Sequence, residues 1–239
     1  MANNYREVPG QYPEVLTLPA LEQLVLRPRF TDIERKILLG DKATTFVLSG
    51  TTIPQQREVR EREGKPSFWH VVSAGDKLLA LPSKAGQEVA IFTDPKRFFV
   101  EGTFGKDTDT QERLVRAAGN DLADRLNLNN SQGKPTIAGI LTEEAATWSD
   151  LTFQFLEDPE KNPKGIWLFG PEYAKAHGKN WVYCRTKNPT NDFGSNVVNV
   201  GNASPDNGLD GFGWGRGDGD EDVGGPFLVV PIENKELIF

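Results

Sequence analysis

Few residues in this chain could do chemistry by themselves. There are two histidines, His70 and His177, and one cysteine, Cys184. A zinc site takes about three or four His or Cys ligands, and none of the usual short spacings occurs. A Ser-His-Asp triad can be built from distant residues, but no G-x-S-x-G elbow is present. His70 sits in an aromatic run with Phe68, Trp69 and Val71 and reads as a structural strand histidine. His177 precedes Gly178 and reads as helix-terminal. Cys184 follows Val182 and Tyr183 and reads as a packed strand thiol; as the lone cysteine it excludes an intrachain disulfide.

Carboxylates offer more. Asp218, Asp220 and Asp222 form D-x-D-x-D, and calcium takes roughly six to eight oxygen ligands. The EF-hand pattern then fails, with Val223 where the turn glycine belongs and Val229 where the bidentate glutamate belongs. A different calcium loop and a solvated acidic turn both remain open. Asp94, Glu101 and Asp107 lie near one another in the chain and are the dispersed carboxylates a metal-dependent hydrolase would use; no activated nucleophile accompanies them. No Walker loop or dinucleotide fingerprint appears, because the glycines over 211–219 recur at every second residue with no helix pattern after them. Arg216-Gly217-Asp218 is the integrin triplet, and in so glycine- and acid-rich a stretch it reads as coincidence.

Residues 201–225 are the distinctive segment. They hold six acids against Arg216, a net charge of −5 in a chain of −7. Nine of the 25 are glycine, which makes ordering costly and favours a flexible surface loop. Phe212 and Trp214 stand at period two within it, and strand-like runs flank it. Rigid aromatics among small polar residues on a fixed frame suit an adaptable recognition loop. Its candidate contact residues are Asn202, Asp206, Asn207, Asp210 and Phe212, with Trp214, Arg216, Asp218 and Asp220 beyond them.

The elements that must position these residues point to an α+β fold, loop-rich, with short antiparallel strands and two main helices. Gly and Pro number 24 and 16, and 14 Phe with 5 Trp supply large buried areas. Residues 1–18 read as an extended arm. Short helices are predicted over 21–26 and 31–39, the second capped by Thr31 and Glu34 and stopped at Gly40. Strands are predicted at 43–49, 67–73, 77–81 and 87–92, the last three joined by antiparallel turns. Residues 55–65 read as a solvated loop or hairpin arm. Leu114, Ala118, Leu122 and Leu126, with Val115 beside them, predict a helix over 110–126, with Asp107 and Asp109 at its positive end. Residues 127–135 read as a polar loop. A second helix over 143–155 has Thr142 as its expected cap and Ala145, Trp148, Leu151 and Phe155 as its stripe. Beyond it come a buried strand at 166–169, a helical turn or two at 171–177, and strands at 180–186, 196–200 and 227–232. The chain divides in this reading into an N-terminal α+β region, 1–155, and a C-terminal β-rich display region, 156–239.

The stretch from Trp181 to Ile232 resembles the C-terminal part of C-type-lectin-fold variable proteins of the kind diversified by retroelements. An aromatic strand, Trp181-Val182-Tyr183-Cys184, ends in a polar corner, Arg185-Thr186. A polar turn, a strand of alternating Asn and apolar residues from Asn196 to Val200, and a stretch rich in Gly, Asn, Asp and aromatics follow. The closing strand is Val229-Val230-Pro231-Ile232, with Val230 where that family often has Arg. The resemblance implies ligand binding by exposed side chains of 202–222 on an invariant frame, and names no ligand.

Three functions stand beside one another. A non-enzymatic binding protein would display 202–222 to a protein or surface ligand. A structural protein of a virion or other assembly would use the arm for mutual docking, as an oligomer. A metal-dependent hydrolase would use the dispersed carboxylates. The absence of a basic stripe argues against sequence-independent nucleic-acid binding. No apolar run reaches about 20 residues, the length a membrane span needs. The first residues lack the pattern of a signal peptide, so a cytoplasmic or virion-associated protein is expected. Calcium is the one cofactor the composition leaves open.

Overall fold

The computed structural model describes residues 24–71, 79–142, 144–190 and 195–233. Within them the fold is α+β, with six helices and ten strands. The predicted arm over 1–18 lies outside the described residues.

Helix α1, Asp32–Gly40, begins as its capping box predicts: Glu34 N donates to Thr31 Oγ1 and Glu34 Oε2 accepts from Thr31 N. The described part of 21–26 corrects the helix expected there, since Val25–Leu26 is strand β1, paired with the last strand. Strand β2, Ala43–Val47, follows. The charged run expected as a loop is instead helix α2, Ile53–Arg62. Thr52 and Gln55 form a second capping box there, with Pro54 in the first turn, where its missing N–H costs nothing. The abundance of charge in this run hid a sound helix start.

Strands β3, Phe68–Val71, and β4, Glu88–Phe92, lie in different sheets, so the antiparallel series expected over 67–92 does not form. Of the strand predicted at 77–81, residues 77 and 78 lie outside the described set and 79–81 are not extended. Asp94 caps the short helix α3, Pro95–Phe98, and Asp107 caps helix α4, Thr108–Arg125. The buried side of α4 is Gln111, Val115, Gly119 and Leu122, rotated from the leucine stripe; Leu114 and Ala118 are only half-buried. The rotation has a packing cause. Gly119 lies so close to Gly139 of strand β5, Ile137–Ile140, that a Cβ on either glycine would meet opposing backbone.

Helix α5, Ala145–Glu157, is buried on nearly every side, as a helix inside a core must be. Its first residue is preceded by Glu144, which makes no side-chain cap bond; Thr142 Oγ1 accepts from Glu144 N without capping the helix. Residues 167–169 are buried as expected but form a turn, not a strand. Helix α6, Pro171–Ala176, matches the predicted turns. Strands β6, Tyr183–Pro189; β7, Asn196–Ser204; β8, Gly208–Gly215; and β9, Val223–Gly224, come next. They precede β10, Leu228–Glu233.

Two five-stranded sheets result. In the first, β10 pairs antiparallel with β1, β4 and β5, and β2 continues from β4. The second runs β3-β8-β7-β6-β9. Its inner three strands are antiparallel, and β3 and β9 join its two edges in parallel. Both sheets draw strands from either side of residue 155. The apolar core gathers around α5. Trp148 and Phe98 stack edge to face at 5.6 Å, and Phe98 meets Phe169 and Tyr173 at 5.1 and 4.9 Å.

Candidate functional site

The second sheet separates two chemistries by the alternation of its strands. Phe68, Leu209, Val198, Val200 and Cys184 belong to the apolar core, and Phe68 packs edge-on against Phe153 of α5 at 5.4 Å. Burial pushes the Cys184 thiol well above its ordinary value, so it stays protonated and inert. The other face carries Asp210, Phe212 and Trp214 on β8, Asn199 on β7 and Tyr183 on β6, and these line a cleft of about 550 Å³.

Two irregularities bring further residues onto that face. A bulge in β3 sets Phe68 against Leu209 but His70 against Asp210, with Trp69 extra between them. Simple alternation would have put His70 on the core side with Phe68; the bulge turns it into the cleft beside Trp69. On β7 the register shifts after Gly201, and Asn202 adopts φ +44°, a left-handed backbone that Asn accepts better than most residues. Asn202 then lines the cleft beside Asn199.

At the floor lies Asp210, 3% exposed. Its Oδ2 accepts from the Tyr183 hydroxyl at 2.8 Å, and its Oδ1 lies 3.1 Å from His70 Nδ1. Burial, with the Asp210 carboxylate close by, raises the Tyr183 phenol above its usual range and keeps the proton on it. A carboxylate only accepts, so Nδ1 of His70 is the donor and Nε2 is left for a ligand. Such an oriented imidazole can anchor a polar group or take a proton. Among the described residues no serine, threonine or cysteine lines the cleft.

Above the floor the rings form a row. Trp69, His70, Phe212 and Trp214 follow one another with centroids 5.8, 6.4 and 6.0 Å apart. Trp181 lines the cleft as well. Trp69, Trp181 and Phe212 are each 40–53% exposed, a concentration of open aromatic surface of the kind that marks interaction sites.

The segment expected as a display loop is largely strand and pinned turn. Residues 208–215 are β8, hydrogen-bonded on both sides. The turn after it is held by Arg185, fully buried on β6, whose Nη1 and Nη2 donate to the carbonyls of Gly215 and Asp218 at 2.8 Å each. Burial pulls the Arg185 pKa down, opposed by Asp220, Asp107 and Asp218 nearby. Thr108 N and Oγ1 donate to the Arg216 carbonyl, and Gly105 N donates to that of Asp220.

Of the nine predicted contact residues, the structure gathers Asn202, Asp210, Phe212, Trp214 and Asp220 in the cleft. Asp206 and Asn207 lie exposed at the β7–β8 turn. Arg216 turns away to Asp109 at 3.2 Å, and Asp218 is exposed on the pinned turn. Asp222 enters the cleft, and its N donates to Asp220 Oδ1. Asp218, Asp220 and Asp222 form no common metal cage, and among the described residues no group of three or more His, Cys, Asp or Glu could hold a metal ion. Asp94 and Asp107 accept from Lys96 N and Thr110 N as helix caps, and Glu101 is exposed on a turn. Trp69, His70, Trp181, Tyr183, Asn199 and Val223 are the cleft residues that the sequence does not single out as contacts. The W-x-Y spacing of Trp181 and Tyr183, two residues apart on the face that Asp210 shares, was the available signal.

Comparison with family models, with curated proteins and with solved structures returns no match to this chain. Among the described residues no helix is long and apolar enough to cross a membrane.

Proposed function

We propose that this chain is a ligand-binding protein and that the aromatic cleft on the second sheet is its recognition site. One observation carries the reading. Phe212 and Trp214, spaced two apart on β8, meet Trp69 and Trp181 from distant parts of the chain around one cavity with a hydrogen-bonded carboxylate at its floor. The volume and the mix of aromatic walls with few polar anchors match a small-ligand site. A pinned strand, in place of a mobile loop, supports recognition with little ordering cost. The resemblance of the region to variable lectin-fold proteins agrees with a recognition role and adds no ligand.

The test is a ligand-observed magnetic-resonance screen of amines, sugars, nucleosides and short peptides against the wild type and the Phe212→Ala, Trp214→Ala double variant. At least one chemical class is expected to bind the wild type and to lose binding in the folded double variant. Ligands that bind both proteins equally would place recognition elsewhere.

A further inference from the structure

The cleft has a charge as well as a shape. Asp210, Asp220 and Asp222 line it, and among the described residues no lysine or arginine does. Three cations on or beside the acidic turn are already engaged. Arg185 gives both terminal nitrogens to backbone carbonyls beneath the turn. Lys179 stands 4.0 Å from Asp222 and 3.8 Å from Glu221, outside the lining. Arg216 is turned to Asp109.

The acids are not the only evidence. Asn199 is 1% exposed and lines the cleft, and its Oδ1 has no hydrogen-bond partner. A buried acceptor left unmade is costly, so a donor belongs opposite it. Indole and phenyl faces attract cations through their quadrupoles, most strongly where the site is partly dry. Neutral sugars also stack on aromatic rings, and the amides of Asn199 and Asn202 with Trp214 Nε1, a buried donor that also lacks a partner, supply the donors a sugar would use. The three carboxylates of the lining tip the balance toward a cation.

Building on the recognition reading above, we infer that the cleft takes an aliphatic ammonium head group, either a free small amine or the side chain of a lysine. Its alkyl part lies against Phe212 and Trp214. Its charged nitrogen points toward Asp220, Asp222 and the Asn199 carbonyl.

The experiment is titration of the intrinsic tryptophan fluorescence, with saturation-transfer magnetic resonance as a second readout. The probes are n-butylammonium, the uncharged and slightly longer n-pentanol, N-acetyl-lysine-N-methylamide and methyl glucoside. Saturable binding of butylammonium, with pentanol about tenfold weaker, is expected, and the Asp220→Asn, Asp222→Asn variant should erase about that difference. Binding of the ammonium should weaken with added salt, and that of pentanol should not. A lysine derivative that binds more tightly than butylammonium identifies a protein side chain as the source; the reverse identifies a free amine. Equal binding of pentanol, or binding of methyl glucoside without the amines, overturns the ammonium inference and leaves the recognition site standing. Binding by none of the probes also overturns it. The double aromatic variant in the broader screen then judges the recognition reading independently.

Discussion

The Tyr183 hydroxyl reaches Asp210 Oδ2 at 2.8 Å across an entire intervening strand, and the residue of that strand at the crossing is Gly201. Tyr183 on β6 and Asp210 on β8 are both registered against Gly201 on β7, two strand spacings or about 9.5 Å apart. A Cβ at Gly201 would collide with the Val182 carbonyl and with the backbone and ring of Tyr183. Glycine is therefore what lets the phenol lie over β7 and tie the cleft floor together.

From this follows a pair of coupled stability effects. Tyr183→Phe leaves a carboxylate oxygen in a 3% exposed residue without its phenol donor and should cost about 1–3 kcal/mol. Gly201→Ala should cost a similar amount, about 1–3 kcal/mol, through overpacking. Because the alanine displaces the ring whose hydroxyl the first variant removes, the double variant should cost less than the sum. Urea unfolding with an unchanged slope measures all three. Strict additivity would show that the ring does not depend on the glycine.

Arg185 should act on the acidic turn as a clamp. Removing it as Arg185→Met takes the guanidinium donors from the Asp218 and Gly215 carbonyls, leaving Gly215 only its bond from Asp218 N, and removes the buried cation near Asp107, Asp218 and Asp220. Loss of a hydrogen bond to a charged group costs about 1.5–3 kcal/mol. Lysine keeps the charge but lacks the planar fork that spans two carbonyls. Hydrogen exchange should therefore be faster across 215–222 in Arg185→Met and also, despite better stability, in Arg185→Lys. Protection of that segment in Arg185→Lys equal to wild type would mean that charge alone holds the turn.

Much of the frame was legible in the sequence, and the reasons for the failures are physical. The capping box at Thr31, the apolar helix around Trp148 and the strands at β2, β4, β6, β7 and β10 rest on local signals, and the chain obeys them. The parallel pairing of β3 with β8 joins residues about 140 apart, and no local pattern announces it. The aromatic run around His70 reads as a packed strand, and a single extra residue in β3 turns the imidazole to the cleft instead. The α4 stripe was drawn through leucines, while the helix turns a glycine to the sheet because closeness to Gly139 there outweighs side-chain burial. The glycines of β8 signalled flexibility, yet its neighbours on both sides supply the backbone partners that order it.

Asp41 should make the protein's acid stability measurably steeper. It caps the end of α1 and receives Arg125 through both carboxylate oxygens, at 2.9 and 2.8 Å, with Arg97 on Oδ2 at 2.8 Å. The Arg125 bonds foremost, with Arg97 and against the opposing effect of burial, lower its pKa from 3.8 to about 2. A depressed carboxylate pKa stabilises the fold fully above the unfolded value and loses that contribution as pH falls through the folded one. The window is thus from 3.8 down to about 2. Since Arg125 is 53% exposed and Arg97 37%, solvent screening holds the charge contribution to about 1 kcal/mol. Asp41→Asn keeps an acceptor of the same shape and has no charge to titrate. The stability difference between wild type and variant should therefore be constant above about pH 4 and shrink by about 1 kcal/mol toward pH 2. Other carboxylates titrate in both proteins and cancel in the difference. Denaturant unfolding at a series of pH values supplies the two curves, and parallel curves through the whole window would show that the α1–α4 bridge carries no charge-dependent stability.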